Sequence, residues 1–247
     1  KHRGNGSCSR AVNMSEISKA INYFTRKWSV LFPSVYILCG ISVSDRPDEM
    51  VKFLEDFKVC TQEVTELRFL LHGPVGTGKS STFNIIKNFK PNCPLTEDSK
   101  YYISKPNLND QIHCLVSVIP ADKIGIMDGE VIKKLKTIQD QASKLGIPQK
   151  LFMTKVDKAC IRTKKDLTMI YQSKKIKEKV SWFCSDLLGI PINCIFPVKN
   201  YHEETEMNEM INSLMLSALI HTVHSANDYV KRYSDFDISK SMYKHIE

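Results

Sequence analysis

No apolar run in this sequence approaches the roughly 18–20 residues that a membrane-crossing helix needs, which excludes transmembrane helices as its organising feature. The cysteines are equally uninformative as a framework. Cys8, Cys39, Cys60, Cys93, Cys114, Cys160, Cys184 and Cys194 include no C-x-x-C pair, and none stands with histidines at zinc-site spacing. Several sit inside apolar stretches, such as Cys114 in HCLVSV and Cys194 in INCIF, so they read as small buried hydrophobes in a reducing compartment, with the cytoplasm as the expected location. Internal repeats and low-complexity tracts are missing, which removes solenoids and disordered linkers. No signal-peptide pattern opens the sequence, although its first residue is Lys1 rather than Met.

What remains is an ordinary soluble composition: 247 residues, 42% hydrophobic and 25% charged, enough for one α/β domain with an N-terminal extension. The net charge is +8, with the lysines spread widely. Their densest cluster, Lys174–Lys179, has no interleaved aromatics and reads as a solvated helix face rather than a nucleic-acid contact.

Residues 1–62 are expected to form a largely helical extension. Its first helix, Ser15–Val30, carries Ile17, Ala20, Ile21, Phe24 and Trp28 at helical spacing and ends before Pro33. A short strand follows at Val35–Cys39, then a helix at Pro47–Phe57 with Pro47 in its first turn. Residues 63–247 alternate strands with helices. The expected strands are Leu67–Leu71, Ile112–Ile119, Leu151–Thr154 and Ile192–Val198. The expected helices are Ser80–Phe89, Gly129–Leu145, Leu167–Leu188 and Glu206–Lys231. That alternation implies a doubly wound, mostly parallel sheet with helices on both faces, and the glycine-rich segment Gly73–Ser80 between the first of these strands and its helix makes this the fold of a P-loop NTPase domain.

The segment Gly73-Pro74-Val75-Gly76-Thr77-Gly78-Lys79-Ser80 fits G-x-x-x-x-G-K-[ST]. A phosphate chain is wrapped only if successive backbone N–H groups, from Val75 through Ser80, turn inward. The three glycines supply the φ values this requires. The following helix offers its N-terminus to an anion. Lys79 is then placed to reach the β- and γ-phosphates and to stabilise charge on a transferring phosphoryl group, Ser80 to bind magnesium, and Ser81 to meet the α-phosphate. The motif follows an apolar strand and opens a helix, the context it demands. His72 beside it reads as a bystander.

A phosphate loop does not choose the base. Thr154-Lys155-Val156-Asp157 fits [NT]-K-x-D at a strand end, where ligands bind in open α/β sheets. The Asp157 carboxylate can accept from guanine's ring N–H and its exocyclic amine, a donor pair that adenine lacks. The Lys155 stem can lie along the purine face. An ATPase of the type whose loop resembles GPVGTGKS would need a strand ending in Asp-Glu, and IHCLVSVIPAD has none. After the last strand, Lys199 and Asn200 in FPVKNY suit a loop that touches the base, or an ordinary strand-to-helix turn.

Five blocks in order, LRFLLHGPVGTGKSSTFN, DQIHCLVSVIPAD, LFMTKVD, FPVKNY and LMLSALIHTVHSANDYV, resemble the interferon-induced protein 44 family. The resemblance implies a cytoplasmic GTP-binding protein of the innate immune response, binding GTP or GDP with magnesium. It places Gly78, Lys79, Ser80 and Ser81 at the phosphate and metal positions and Thr154, Lys155 and Asp157 at the guanine. A homodimer across the nucleotide face is implied by family analogy alone.

One departure bears on catalysis. Only 22 residues separate Phe89 from Ile112, too few at about five residues per strand and ten per helix for a first switch, two strands, a D-x-x-G element and a helix. Asp122, at a strand end, is set aside as a poor substitute for want of the glycine. The shortfall implies either a segment missing between Phe89 and Tyr101 or a chain that binds nucleotide without hydrolysing it. Two functions therefore stand: GTP hydrolysis, and a nucleotide-dependent interaction module. An ATPase is a weaker third.

Overall fold

The computed structural model describes residues 47–84 and 107–244. The expected helix at Ser15–Val30, the strand at Val35–Cys39, the end of the helix after the glycine-rich segment and the shortfall after Phe89 lie outside the described residues.

Four apolar segments form one parallel sheet: β1 Phe69–His72, β2 Cys114–Pro120, β3 Gln149–Thr154 and β4 Ile195–Pro197. Their spatial order is β1-β2-β3-β4, each pairing with the next in the chain and without reversal among the described strands. Continuous apolar runs mark strands covered on both faces, and all seven residues of β2 are buried.

The two coverings can be told apart by the two-residue period of a strand. Phe152 pairs with Phe196 across β3 and β4, their rings edge to face at 6.2 Å. On that face, His221 of helix α7 (Glu209–Lys244) stacks on Phe196 at 5.3 Å. Ser117 neighbours Val118, the partner of Phe152, and so points to the opposite face. There Gln139 of helix α3 (Gly129–Lys144) donates to Ser117 Oγ at 3.5 Å. Helices thus lie on both faces, as expected for this α/β pattern.

Helix α3 starts where Asp128 accepts from Glu130 N–H, and it buries Leu135, Gln139 and Ala142 at helical spacing. It ends with Ile147 N–H donating to Ala142 O and Gly146 N–H to Ser143 O, which satisfies carbonyls the helix leaves open. Helix α7 starts at Glu209 rather than Glu206, because Asn208 accepts from Ile211 N–H at 3.1 Å and serves as its cap. Ile211, Leu214, Met215, Ala218, Val223, Ala226, Tyr229 and Val230 are its buried stripe. Helix α1, Pro47–Asp56, packs against it, with Phe53 and His224 ring centroids 4.9 Å apart. Val51, Leu54 and Val64 join the same core as the sheet.

The uninterrupted helix expected at Leu167–Leu188 is corrected by the structure. The segment divides into a 3-10 turn at Leu167–Tyr171, helix α6 at Lys174–Glu178 and a wide π-type helix at Lys179–Leu187. The cause is local: Asp166 accepts from Thr168 N–H, and Ser173 accepts from Ile176 N–H. Both are side chains that compete with the helical backbone and start new turns. Two further short helices, α4 Val156–Ala159 and α5 Ile161–Lys165, follow β3 directly, while α2, Lys79–Asn84, follows the glycine-rich turn.

Candidate functional site

The sequence-selected residues converge at the carboxyl ends of the strands, the edge at which open parallel sheets bind ligands. Residues 73–78 leave β1 and fold over the ends of its neighbours. Gly73 runs so close to β2 that a Cβ there would stand 2.2 Å from the Val118 carbonyl oxygen, at a φ of +147°. At Gly78, φ is +95° and a Cβ would meet Asn200 Nδ2 at 2.5 Å. These two glycines are required by space as well as by backbone conformation.

Three side chains from other strand ends hold this loop. Thr154 Oγ1 donates to Thr77 O at 2.5 Å. The Lys155 ammonium donates to Gly76 O at 2.6 Å. Asn200 Nδ2 donates to Gly78 O at 3.1 Å, and its carbonyl accepts from Thr82 Oγ1 at 3.2 Å. Each of these bonds draws a loop carbonyl toward a strand end. Among the described residues, the N–H groups of Val75, Gly76, Thr77 and Gly78 donate to no backbone carbonyl. That concavity of unpaired amides has the chemistry of an anion cradle.

Lys79 arches over the loop, donating to Gly73 O and Pro74 O at 2.7 Å each. Ser80 and Ser81 are exposed at the mouth. Lys155 is the single non-glycine residue with positive φ among the described residues, at 57°. This left-handed turn costs about 1–2 kcal/mol, and the residue that adopts it is the one whose ammonium reaches Gly76. Asp157 lies two residues on, in α4, half-buried and with no hydrogen-bond partner among the described residues.

Lys199 is directed elsewhere. Its ammonium pairs with Glu204, whose neighbour His202 also donates to that carboxylate. Partial burial pushes the Glu204 carboxyl up, but the Lys199 and backbone hydrogen bonds outweigh it and bring it down to about 2. Of the residue pair Lys199 and Asn200, the structure brings only the side chain of Asn200 to the loop.

His72 is buried beneath the loop and shares a 2.6 Å hydrogen bond through Nε2 with Ser117 Oγ. Burial, and then the nearby Lys79 charge, lower its pKa to about 4, so the ring is neutral near pH 7. A neutral ring wedged against β2 serves the packing under the loop.

Setting Asp122 aside for want of a glycine is corrected by Gly125, three residues on. Residues 122–125 read Asp-Lys-Ile-Gly, so D-x-x-G spacing is present at the end of β2, the strand beside β1. Asp122 Oδ1 is buried without a partner. The four-residue spacing was the available signal. Among the described residues there is no cluster of three or more His, Cys, Asp or Glu side chains able to hold a metal ion, so a magnesium ion here would depend on Ser80 and on oxygens of its ligand. No described helix is long and apolar enough to cross a membrane.

Comparison with curated proteins identifies relatives of one kind. The chain is 29% identical over 178 residues to interferon-induced protein 44 of Mus musculus, covering 67% of this chain and 42% of the relative. It is 22% identical over 264 residues to interferon-induced protein 44-like of Homo sapiens, covering 77% and 58%. Human interferon-induced protein 44 is 31% identical over 130 residues, 53% of this chain and 29% of the relative. The chain therefore spans roughly a third to three-fifths of the length of these relatives. The 264 positions aligned with the human 44-like protein exceed the 77% of 247 residues that they cover, about 190, so about seventy of them stand opposite gaps in this chain. No family model matches the chain, and no solved structure does.

Proposed function

We propose for this chain, which belongs to the interferon-induced protein 44 family, the binding of a guanine nucleoside triphosphate or diphosphate at the glycine-rich loop, in the service of an interferon-induced immune response. The observation that carries the reading is the arrangement of Thr154, Lys155 and Asn200, which hold the carbonyls of Thr77, Gly76 and Gly78 while the amides of Val75 through Gly78 donate to no backbone carbonyl. That arrangement suits a phosphate chain. The same strand end that grips the loop carries Asp157, whose unpaired carboxylate suits the two N–H donors of a guanine edge.

The residues present fit a phosphate chain and, through it, magnesium. Four loop amides and the Lys79 ammonium would bind phosphate oxygens. Lys79 would exchange its bonds to Gly73 O and Pro74 O for a charge-assisted pair with the ligand. Ser80 would hold magnesium, which when bound neutralises phosphate charge. Lys79→Ala is expected to abolish nucleotide binding in calorimetry while leaving the far-ultraviolet spectrum unchanged. Retained affinity would remove the loop from the account.

Slow or absent hydrolysis is the form of this reading favoured by the short stretch before β2. The protein then acts as a nucleotide-dependent interaction module. A second reading, true GTP hydrolysis, has Asp122 behind it: a carboxylate at the adjacent strand end with a buried, unpartnered oxygen and a glycine three residues on. Phosphate release from GTP separates the two. Release no faster than a buffer blank supports the module. Turnover that Asp122→Asn removes supports the enzyme.

A further inference from the structure

We propose that Lys150 and Cys194 form a reversible covalent cross-link, in which hydrogen peroxide oxidises the thiol and the lysine amine closes a sulfur–nitrogen bond. This inference is independent of nucleotide binding. Lys150 is only 9% exposed, and buried lysines ordinarily pair with a carboxylate. This one has none among the described residues. Its single hydrogen bond there runs from Nζ to Cys194 Sγ at 3.5 Å. The Phe196 ring lies 5.9 Å from the ammonium, and His221 is stacked on that ring. An imidazole is neutral or cationic, so His221 offers the ammonium no counter-charge in either state.

The backbone enforces the contact. Leu151 pairs with Ile195 in the β3–β4 register, which sets the preceding residues of each strand, Lys150 and Cys194, side by side. The two groups are unequally accessible: Lys150 is buried, while Cys194 is half-buried, one residue before β4, and so open to a small oxidant. Among the described residues no second thiol is bonded to Cys194. Cys114 lies two strands away, roughly 9.5 Å by the spacing of a sheet, beyond the ~7 Å Cα separation a disulfide tolerates. Burial also pushes the Cys114 thiol up to about 12, which keeps it protonated.

The chemistry balances with one equivalent of peroxide. Cys194 sulfur attacks a peroxide oxygen, giving a sulfenic acid and water, with sulfur oxidised by two electrons and peroxide reduced. Lys150 gives one proton from its ammonium to solvent, and the nitrogen lone pair so freed attacks sulfur. The S–N bond forms, the S–O bond breaks, and the hydroxyl leaves as a second water with a proton from nitrogen. Condensation of a sulfenic acid with a nitrogen is a known route to a sulfenamide. The two atoms to be joined already stand 3.5 Å apart. An added thiol attacks the same sulfur and restores the amine.

The test is peptide mapping by mass spectrometry of the whole folded chain after peroxide treatment and removal of excess oxidant. The expected product joins the Lys150 and Cys194 peptides, is lighter by two hydrogens than the separate pair, and disappears with dithiothreitol. Lys150→Arg keeps the buried charge but cannot condense in this way, so its Cys194 should accumulate as a sulfenic acid that dimedone captures. The wild type should give little such adduct. Recovery of wild-type Cys194 as an unlinked thiol, as a sulfinic acid, or in a disulfide would overturn the proposal. So would equal dimedone capture in wild type and Lys150→Arg.

Discussion

The Lys155 ammonium donates to the Gly76 carbonyl at 2.6 Å across 79 residues of sequence, and it does so from a left-handed backbone that a lysine adopts only at a cost. The two features can be separated by substitution. Lys155→Gly removes the ammonium and relieves the strain, whereas Lys155→Ala removes the ammonium and keeps the strain. The glycine variant is expected to be more stable than the alanine variant by about 1 kcal/mol. Both should bind nucleotide about tenfold more weakly than wild type, the value of one charge-assisted hydrogen bond. Urea unfolding checks the first expectation and calorimetry the second. Equal stability of the two variants would argue against the strain.

Gly73 and Gly76 are expected to respond differently to alanine. At Gly73 a Cβ meets the Val118 carbonyl at 2.2 Å, so β1 and β2 must separate, which costs about 4 kcal/mol or more. At Gly76 nothing lies within 4 Å, and only the positive φ of 77° is penalised, at about 1–2 kcal/mol. Urea midpoints of the two variants test the ordering.

The sheet was largely legible in the sequence because its strands are buried on both faces. Runs such as CLVSVIP can be little else when a glycine-rich turn and a helix alternate with them. Boundaries moved by up to three residues where a cap decided them, as at Asn208, while the last helix runs to Lys244 rather than ending at Lys231. The Leu167–Leu188 segment was misread as one helix because its apolar periodicity outweighed Ser173, whose side chain caps a new turn in mid-segment. At the candidate site, the loop and Thr154-Lys155-Val156-Asp157 could be recognised by spacing. The left-handed backbone of Lys155 could not, since no local residue type demands it. Neither could the division of labour between Lys199 and Asn200, which depends on Glu204 capturing the lysine.

His72 makes stability depend on pH. The unfolded chain protonates this ring as pH falls through about 6.5, and the folded chain only near 4. Between those values the unfolded state holds more protons, so stability declines as pH falls, by up to about 3 kcal/mol at pH 4. In urea titrations at pH 7, 5.5 and 4, His72→Gln should lack this part of the slope. An identical decline in the variant would assign it to other groups.

The central claim is that one strand end both holds the phosphate-cradling loop and reads the base. Calorimetric affinities for GTP and ATP with magnesium, measured on wild type and Asp157→Asn, test it most directly. Wild type should prefer GTP, and the variant should lose about 2–3 kcal/mol of GTP binding, roughly a hundredfold, with ATP unaffected. Equal wild-type affinity for the two nucleotides, or a GTP preference that survives Asp157→Asn, would contradict the account.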